Sequence, residues 1–218
     1  MPKTFIATLG FDQSSLVRLI GEKGLSPSDA IYLVTSVVTH PRTENAIRSI
    51  VEFVNTVNPK VEVKVVRLKE TDLEVNVVRL FKLIKGCEEP VIDITGGPKG
   101  LSFSLFLAAC FAGVSKVYMT TETLGERVEV PTLAMPTYTL TARQRDVLSL
   151  LPCRVTELSR KLKISKSTAS RLLRNLVKKG LAYRSGGGKV FEPTLTGRIL
   201  LKMLTEVRGS VNTHSTDF

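Results

Sequence analysis

The sequence contains few cysteines and no apolar run long enough to cross a membrane. Cys87, Cys110 and Cys153 are the three cysteines of the 218 residues; they are scattered and form no CxxC pair. This pattern argues against a disulfide framework and favours reduced thiols in an intracellular protein. The longest apolar stretch, Leu101–Val114, is interrupted by two serines and is shorter than the roughly 20 residues of a membrane span. No secretory signal pattern is visible at the N-terminus. We therefore expect a cytoplasmic protein with no membrane partner.

The sequence also lacks the best-known fingerprints of nucleotide enzymes. Neither G-x-G-x-x-G nor G-x-x-x-x-G-K-[ST] occurs, which argues against a dinucleotide oxidoreductase and a P-loop NTPase. No set of side chains suited to acid–base catalysis stands out, and there is no internal repeat or low-complexity segment. We therefore expect a protein that is not an enzyme and that holds no metal and no cofactor.

The net positive charge is confined to the second part of the chain. Residues 1–135 contain 15 Lys and Arg and 15 Asp and Glu, whereas residues 136–218 contain 16 and 5. The whole net charge of +11 thus belongs to the last 83 residues. A neutral part joined to a basic part predicts two domains, the second of which binds a polyanion.

The first 130 residues alternate between strand and helix patterns. Strands are predicted over Lys3–Leu9, Ala30–Val38, Val61–Leu68, Pro90–Thr95 and Ser115–Thr121, with a short edge strand over Glu126–Val130. Helices are predicted between them over Ser14–Glu22, Glu44–Val57, Leu73–Ile84 and Pro98–Phe111. This alternation is typical of right-handed βαβ units. We predict an α/β class domain over residues 1–132, with a Rossmann-like, mostly parallel sheet flanked by helices.

A change of pattern marks the boundary between the two domains. The segment 131–141, PTLAMPTYTLT, carries two prolines and loses the periodicity, so we place the linker at 133–141. Helices are then predicted over Ala142–Leu151, Val155–Leu162, Thr168–Lys179 and Thr196–Val207. These belong to a predicted α+β winged helix-turn-helix domain over 142–208, and the polar residues 209–218 are predicted to form a flexible tail.

The pattern of residues 154–180 predicts a helix-turn-helix. Val155, Leu158 and Leu162 form one apolar stripe, and Ala169, Leu172, Leu173 and Leu176 form a second after a short turn. Two short helices joined by a tight turn are typical of this DNA-binding motif. Opposite its apolar stripe, the second helix carries hydroxyl and basic side chains but no acidic one.

A short hairpin follows the second helix and predicts a wing. Two alternating runs in residues 181–194 are joined by Gly186, Gly187 and Gly188, and basic residues on its arms are suited to the DNA backbone. The candidate DNA-binding residues are Ser165, Lys166, Ser167, Thr168, Ser170, Arg171, Arg174, Lys178, Arg184 and Lys189. The alternative is a solvated basic helical bundle, but the order of elements and the concentration of charge favour the DNA reader.

Two loops of the first domain are candidates for a ligand site. In an open parallel sheet, ligands bind beyond the carboxyl ends of the strands, where the strand order reverses. TLGFD follows the first predicted strand, and TGGPKG follows the fourth. Gly96 and Gly97 permit positive φ and close approach of a ligand, and Pro98 suits the first position of a helix. The free amide groups of the following turn then bind anions well.

Lys99 is informative because a cation in a first helical turn is opposed by the helix dipole, by about 0.3–1 kcal/mol. A bound phosphate would reverse the sign of that interaction, although a tight turn with a solvated lysine is the alternative. Asp93, inside an apolar strand, is predicted to anchor loop amides rather than to catalyse. Thr35 and Ser36 offer hydroxyls to a ligand. His40 follows the second strand and could reach the same rim, although a lone histidine there is more often a surface residue.

These motifs together resemble a known family. DITGGPKG after a fourth strand, TLGFD after a first strand and a C-terminal winged helix are similar to the archaeal CRISPR-associated transcriptional regulators. That family joins a CRISPR-associated Rossmann-fold (CARF) domain to a winged helix-turn-helix. The resemblance extends over residues 1 to about 207, nearly the whole chain.

The resemblance implies a ligand, a partner and a target. Domains of this family form homodimers and bind a cyclic oligoadenylate, most often cyclic tetra-adenylate, across the two-fold axis. Carried over by position, the ligand contacts would be Leu9, Gly10, Phe11, Thr95, Gly96, Gly97, Pro98 and Lys99. The winged domains would bind double-stranded DNA at a palindromic promoter near CRISPR genes or arrays, and the ligand would modulate that binding.

Two other functions remain open from the sequence. Some relatives of this domain are ring nucleases that cleave their own cyclic ligand, a reaction that needs mainly positioning and charge stabilisation. Lys99 and Ser36 are the candidate residues for such a reaction. The first domain could also sense another phosphorylated nucleotide, or serve only for dimerisation.

Overall fold

The computed structural model describes residues 1–123, 125–132, 140–185, 187 and 189–211, with side chains up to residue 203. The chain divides into two compact units, Met1–Thr137 and Tyr138–Phe218. Each unit has its own core. Residues 133–139 of the predicted linker lie outside the described residues.

The first unit alternates strands and helices as the sequence pattern predicts. Its strands are β1 (Lys3–Thr8), β2 (Ala30–Ser36), β3 (Glu62–Leu68), β4 (Glu89–Asp93), β5 (Lys116–Thr120) and β6 (Arg127–Pro131). Its helices are α1 (Ser14–Lys23), α2 (Pro41–Val57), α3 (Leu73–Lys85) and α4 (Lys99–Ala112). The strands form one sheet in the order β3-β2-β1-β4-β5-β6. All its pairs are parallel except β5–β6. The predicted Rossmann-like sheet is therefore confirmed.

The helices cover the two faces of this sheet in pairs. Right-handed crossovers place α1 and α2 on one face and, because the chain then crosses back to β4, α3 and α4 on the other. On the first face, Leu19, Ile20, Ile50 and Val54 pack against the sheet in one buried cluster. The helices α3 and α4 pack against each other. This arrangement brings the loops after β1 and β4 together at the carboxyl ends of the strands, in the middle of the sheet.

Two helices of this unit begin at positions that the apolar pattern did not predict. The helix α2 begins at Pro41 rather than Glu44, because His40 caps it and proline fits its first turn. The helix α4 begins at Lys99, and Pro98 is its extended N-cap instead of its first residue. The apolar stripe predicts where a helix packs, whereas its cap decides where it begins.

The second unit contains a three-helix arrangement followed by a hairpin and a last helix. Its elements are α5 (Ala142–Ser149), α6 (Val155–Lys161), α7 (Lys166–Lys178), β7 (Ala182–Ser185), β8 (Val190–Pro193) and α8 (Leu195–Val211). The strands β7 and β8 form an antiparallel hairpin. The core includes Val147, Leu158, Ala169, Leu173 and Leu176. The predicted helix-turn-helix and wing strands are therefore present.

The start of α7 and the end of α8 differ from the predicted boundaries. The helix α7 begins two residues before Thr168, because the Ser165 side chain accepts the amide of Thr168 at 3.1 Å and caps it. In the turn before it, Lys163 has a φ of +50°, a conformation that closes the tight turn. The helix α8 continues to Val211, so the first residues of the predicted tail are helical. Residues 212–218 lie outside the described residues.

The described residues contain neither a membrane-spanning helix nor a cluster of metal ligands. None of their helices combines the length and apolar character needed to cross a membrane. Within the same residues, no group of three or more His, Cys, Asp or Glu side chains is placed to hold a metal ion. The cysteines Cys87, Cys110 and Cys153 are free thiols.

Candidate ligand site and nucleic-acid interface

The loops after β1 and β4 meet at the point where the strand order reverses. The strands β1 and β4 are neighbours in the sheet, but the chain leaves them in opposite directions, toward β2 and toward β5. An open α/β sheet has its ligand crevice at this point. The predicted pair of loops is therefore brought together by the topology.

The glycines of these loops are required by contact between the two backbones. A Cβ on Gly96 would lie 2.7 Å from the carbonyl oxygen of Thr8, and one on Gly10 would lie 2.8 Å from the Gly97 nitrogen. Gly97 has a φ of +78°, as predicted. Gly96 is not among the glycines with positive φ, so of these two glycines Gly97 alone adopts the conformation that both permit. Its small size is needed because β1 and β4 end side by side.

Two clefts lie on either side of the junction between these loops. The first has a volume of about 370 Å³ and continues toward the loop after β5. The second has a volume of about 410 Å³ and continues toward the loop after β2. Leu9, Gly10, Phe11 and Gly97 line both clefts, Thr95 and Gly96 line the first, and Thr35, Ser36 and Pro98 line the second.

A polar network forms the floor of the first cleft. Asp93, which is 2% exposed, accepts the amide of Thr95 at 2.8 Å, and the hydroxyls of Ser15 and Thr95 also donate to it. Ser15 is hydrogen-bonded to Thr120 at 2.7 Å, and the amide of Thr120 donates to Thr95 Oγ1 at 2.9 Å. Asp93 thus anchors the loop that contains Gly96, as predicted.

The environment of Asp93 affects the proton on its carboxyl group. Burial raises the pKa of Asp93 above its ordinary value of 3.8, although hydrogen bonds from Thr95 and Ser15 and the charge of Arg127 oppose this shift. Because the folded state then holds the proton more tightly than the unfolded state, the stabilising contribution is complete below pH 3.8. It declines as the pH rises through the folded pKa.

We expect Asp93→Asn to remove this part of the pH dependence. The amide oxygen can still accept the Thr95 N–H, but the side chain has no proton to lose. Hydrogen exchange of peptides from β4 and α4, measured between pH 4 and 7, should show wild-type protection falling relative to the variant as the pH rises. Parallel pH profiles for the two proteins would contradict the assignment of this dependence to Asp93.

The second cleft has an aromatic rim and a polar floor. Phe11 is 52% exposed, whereas Thr35, Ser36 and Thr43 on the floor are buried. His40 lines this cleft and its ring lies 4.7 Å from that of Phe11, centroid to centroid. The sequence left both the rim of the ligand site and the surface open for His40; the side chain is exposed and also lines this cleft. Its signal was its place in the short segment after β2, the strand that ends with Thr35 and Ser36.

Lys99 occupies a different position from the other candidate ligand residues. Its side chain is exposed at the start of α4, and it is not part of the lining of either cleft. The backbone amides of Lys99 and Gly100 have no acceptor within the helix, as at any helix start. The Lys99 ammonium group and these two amides therefore lie at the start of α4, next to the loop that contains Gly96 and Gly97.

Ser15 and Arg18 are site residues that the sequence did not indicate. Both line the first cleft, and Arg18 Nη1 donates to the carbonyl oxygen of Gly125 at 2.8 Å. The contacts of Ser15 with Asp93 and Thr120 join residues 78 and 105 positions apart. No local pattern reports such contacts.

The candidate DNA-binding residues of α7 form a continuous surface. Ser167, Ser170, Arg171 and Arg174 line one shallow depression, and Lys166 and Lys178 are exposed on the same helix. Ser165 and Thr168 bond each other, since the Ser165 hydroxyl donates to Thr168 Oγ1 at 2.9 Å. Those two hydroxyls therefore have a structural role at the start of the helix.

The wing presents two further basic side chains. Arg184 and Lys189 are both exposed, and the guanidinium carbon of Arg184 lies 5.1 Å from the centre of the Phe191 ring. Gly187 has a φ of +68°, while Gly186 and Gly188 lie outside the described residues. The candidate basic residues of α7 and of the hairpin are therefore all on the surface of the second unit.

Comparison with known sequences places this architecture in a family. Residues 3–131 match the family described as the Csa3 CRISPR-associated Rossmann-like domain. The chain belongs to this family. Residues 139–189 match the MarR family, so a Csa3-type domain is followed by a MarR-family winged helix domain. The family resemblance and the two-domain fold class predicted from the sequence are both confirmed.

Solved structures with similar folds were also found. Can2 from Sulfobacillus thermosulfidooxidans, in complex with cyclic tetra-adenylate, aligns with a TM-score of 0.46 and 11% identity over 97% of this chain and 68% of its own. Csm6 from Enterococcus italicus, bound to cyclic hexa-2'-fluoro-hexa-dAMP, gives 0.48 and 11% over 98% of this chain and 56% of its own. VC1899 from Vibrio cholerae gives 0.45 and 10% over 97% and 69%. With TM-scores below 0.5, these similarities carry no argument about the ligand of this chain. No curated protein sequence matches it significantly.

Proposed function

We propose that this protein is a dimeric transcription regulator of CRISPR genes or arrays that is modulated by a cyclic oligoadenylate. The observation that carries the proposal is the combination of two sites in one chain. A Csa3-type domain has ligand clefts at its strand-order reversal, and a MarR-family domain has a basic helix on its surface. A chain with one site of each kind is built to couple a ligand to DNA.

The chemistry of the two clefts suits a large nucleotide ligand. The clefts share the wall formed by Leu9, Gly10, Phe11 and Gly97, so one extended molecule can occupy both. In the first cleft the Thr95 hydroxyl is engaged in the network around Asp93, whereas the hydroxyl oxygens of Ser15 and Thr120 keep lone pairs that can accept from ribose hydroxyls or base amino groups. The amides at the start of α4 are suited to a phosphate. We propose cyclic tetra-adenylate as the ligand, because the two loops resemble those of the CARF family.

The outer surface of α4 supports a homodimer. Residues 100–112 contain no charged side chain, and Phe103 is 64% exposed. A surface helix normally carries charges on its solvent side, and an apolar surface marks an interaction site. An uncharged face can pair with a second copy of itself without like-charge repulsion.

The position of Lys99 also supports this dimer. It lies at the start of α4 and outside the clefts of its own chain. With two copies of α4 side by side, both Lys99 side chains would lie close to the two-fold axis. A symmetric cyclic anion on that axis would then be held by both glycine loops and both lysines.

The winged domains of such a dimer would bind two DNA half-sites. In dimeric helix-turn-helix proteins the two recognition helices read half-sites about one helical turn apart. The exposed Arg171 and Arg174 of α7 are suited to guanine edges or phosphates. We therefore propose a palindromic promoter as the target, with the ligand changing the relative placement of the two recognition helices.

A ring nuclease remains the alternative function, and no observation in the described residues favours it. Ser36 lines the second cleft, but Lys99 lines neither. The Ser36 hydroxyl oxygen also accepts the Val38 amide at 3.1 Å. Incubation of cyclic tetra-adenylate with excess protein, followed by separation of linear products, decides between the two functions. We expect no turnover on the timescale of binding.

The proposed function is tested by coupling between the two sites. A duplex enriched from random DNA by the full-length protein serves as the DNA probe, and fluorescence anisotropy gives its affinity. We expect saturating cyclic tetra-adenylate to change that affinity by about 5–150-fold, the usual range of allosteric coupling. Equal affinities with and without the ligand would exclude the proposed coupling.

A pair of lysine variants makes this experiment specific. Lys99→Ala should weaken binding of cyclic tetra-adenylate and leave the affinity for DNA without ligand unchanged. Lys60→Ala removes an equally exposed lysine from a loop outside both clefts and should bind ligand as the wild type does. Equal ligand affinities of the two variants would show that Lys99 has no role in binding. Light scattering of the same samples should give twice the 24.0 kDa mass of one chain.

A further inference from the structure

Phe11 stands at the rim shared by the two clefts. It follows β1 in the loop that packs against Gly97, and it lines both clefts. Half of its surface, 52%, remains exposed. A phenylalanine that served only the core would be buried, so its open ring is available to a molecule in the clefts.

The ring of Phe11 is held in place by His40. The two ring centroids are 4.7 Å apart with an interplanar angle of 44°. His40 is itself fixed, because its Nδ1 accepts the Arg42 amide at 3.2 Å and caps α2. Because Nδ1 accepts this amide, Nε2 is the nitrogen of the ring that can donate a hydrogen bond. The cap positions an aromatic side chain at the mouth of the second cleft.

Arg42 adds a positive charge to this pair. Its guanidinium carbon lies 4.7 Å from the centre of the Phe11 ring, within the distance of a cation–π contact. Phe11, His40 and Arg42 together form what we call the aromatic rim. The guanidinium lies over one face of the Phe11 ring, and the half of the side chain that remains exposed is open to the cleft.

This combination fits one class of chemical group. A nucleobase stacks on aromatic side chains, and the charge of an arginine beside the stack attracts the phosphate that is joined to the base. The two fused rings of a purine overlap an aromatic face more extensively than a pyrimidine does. Below the rim, the Ser36 hydroxyl accepts the Val38 amide and keeps its own hydrogen for a ring nitrogen of the base.

We propose that the aromatic rim is a stacking platform for a purine base, with Phe11 as its principal contact. The proposal rests on the proposed function in one respect, since a cyclic oligoadenylate supplies adenine as that base. It assigns His40 and Arg42, which the resemblance does not include, to the ligand site. Phe11 stacks on the base, His40 and Arg42 hold the Phe11 ring in position, and the charge of Arg42 attracts the neighbouring phosphate.

The absence of tryptophan from the chain allows a direct test. Phe11→Trp introduces a single indole at the platform, whose fluorescence should be quenched when adenine stacks on it. Tyr183→Trp is the matched control, because Tyr183 is similarly exposed, at 45%, but lies on the wing strand β7. Addition of cyclic tetra-adenylate should quench the first variant and leave the second unchanged.

Affinity measurements on full-length variants provide the second readout. Phe11→Ala should weaken binding of cyclic tetra-adenylate by about 5–100-fold, the usual effect of removing a stacked aromatic. Phe11→Tyr keeps the ring and should restore most of that affinity. If the wild type binds the ligand but Phe11→Ala binds equally well and the indole is not quenched, the platform is wrong and the proposed function stands.

The platform can also be tested if the proposed ligand turns out to be wrong. If the wild type does not bind cyclic tetra-adenylate, the proposed ligand is wrong, and titration of Phe11→Trp with AMP and UMP then tests the platform alone. Stronger quenching by AMP than by UMP supports purine stacking. No quenching by AMP, or equal quenching by both nucleotides, overturns it.

Discussion

Replacing Gly96 with alanine is expected to destabilise the first unit by about 1–3 kcal/mol and to abolish ligand binding. The added Cβ would lie 2.7 Å from the Thr8 carbonyl oxygen and 3.3 Å from the Gly10 nitrogen. Both are backbone atoms, so no side-chain rotation relieves the contact. The loops must separate, and separation displaces Phe11 and Gly97, which line both clefts.

Gly21→Ala is the matched control for this prediction. Gly21 lies within α1, and nothing is within 4 Å of the position that its Cβ would occupy. Alanine there should raise stability by about 0.5–1 kcal/mol, because it restricts the unfolded chain and favours the helix. Calorimetric titration with cyclic tetra-adenylate and hydrogen exchange of β1 and β4 peptides measure both effects. A Gly96→Ala protein with wild-type protection and affinity would show that the loops are not packed as described.

Replacing Arg171 with alanine is expected to weaken binding to the enriched duplex by about 1–3 kcal/mol, or about 5–150-fold. Arg171 is exposed on α7 and lines the same depression as Ser167, Ser170 and Arg174. If it contacts a base edge, the loss should be greater for the enriched duplex than for a scrambled duplex. A contact to phosphate alone would weaken both about equally and reduce the salt dependence.

Arg143→Ala separates this specific effect from the loss of one positive charge. Arg143 is an exposed arginine of the same unit, but it belongs to α5 and not to the depression on α7. We expect a much smaller loss of affinity, measured by fluorescence anisotropy at the same ionic strength. Equal losses for the two variants on both duplexes would mean that α7 does not read the DNA.

Much of this fold could be predicted because its signals are local. Strands such as Ala30–Ser36 and helices such as Leu73–Lys85 were visible in the apolar periodicity, which depends only on neighbouring residues. The residues at which α2, α4 and α7 begin were less predictable. They depend on caps formed by His40, Pro98 and Ser165.

The candidate site was only partly predictable for a different reason. Its two loops could be found from their sequence, since glycines after strands at a sheet edge are a recognisable signal. The sequence could not show that Ser15 bonds Asp93 and Thr120, because those contacts join distant positions. From the sequence, Lys99 was expected to contact the ligand together with its neighbours in TGGPKG. In the structure Lys99 begins α4, and its side chain lines neither cleft.

The sequence by itself determined the two-domain organisation, the α/β and winged-helix classes and the family, because periodicity, charge distribution and short motifs are properties of the chain. Only the tertiary structure decided why Gly96 must be glycine and which side chains share a cleft. It also brought His40 and Arg42 to Phe11. The physical reason is that a parallel sheet brings loops from distant parts of the chain together at the carboxyl ends of its strands. Contact between their backbones and stacking of their side chains depend on distances in space, which the order of residues does not specify.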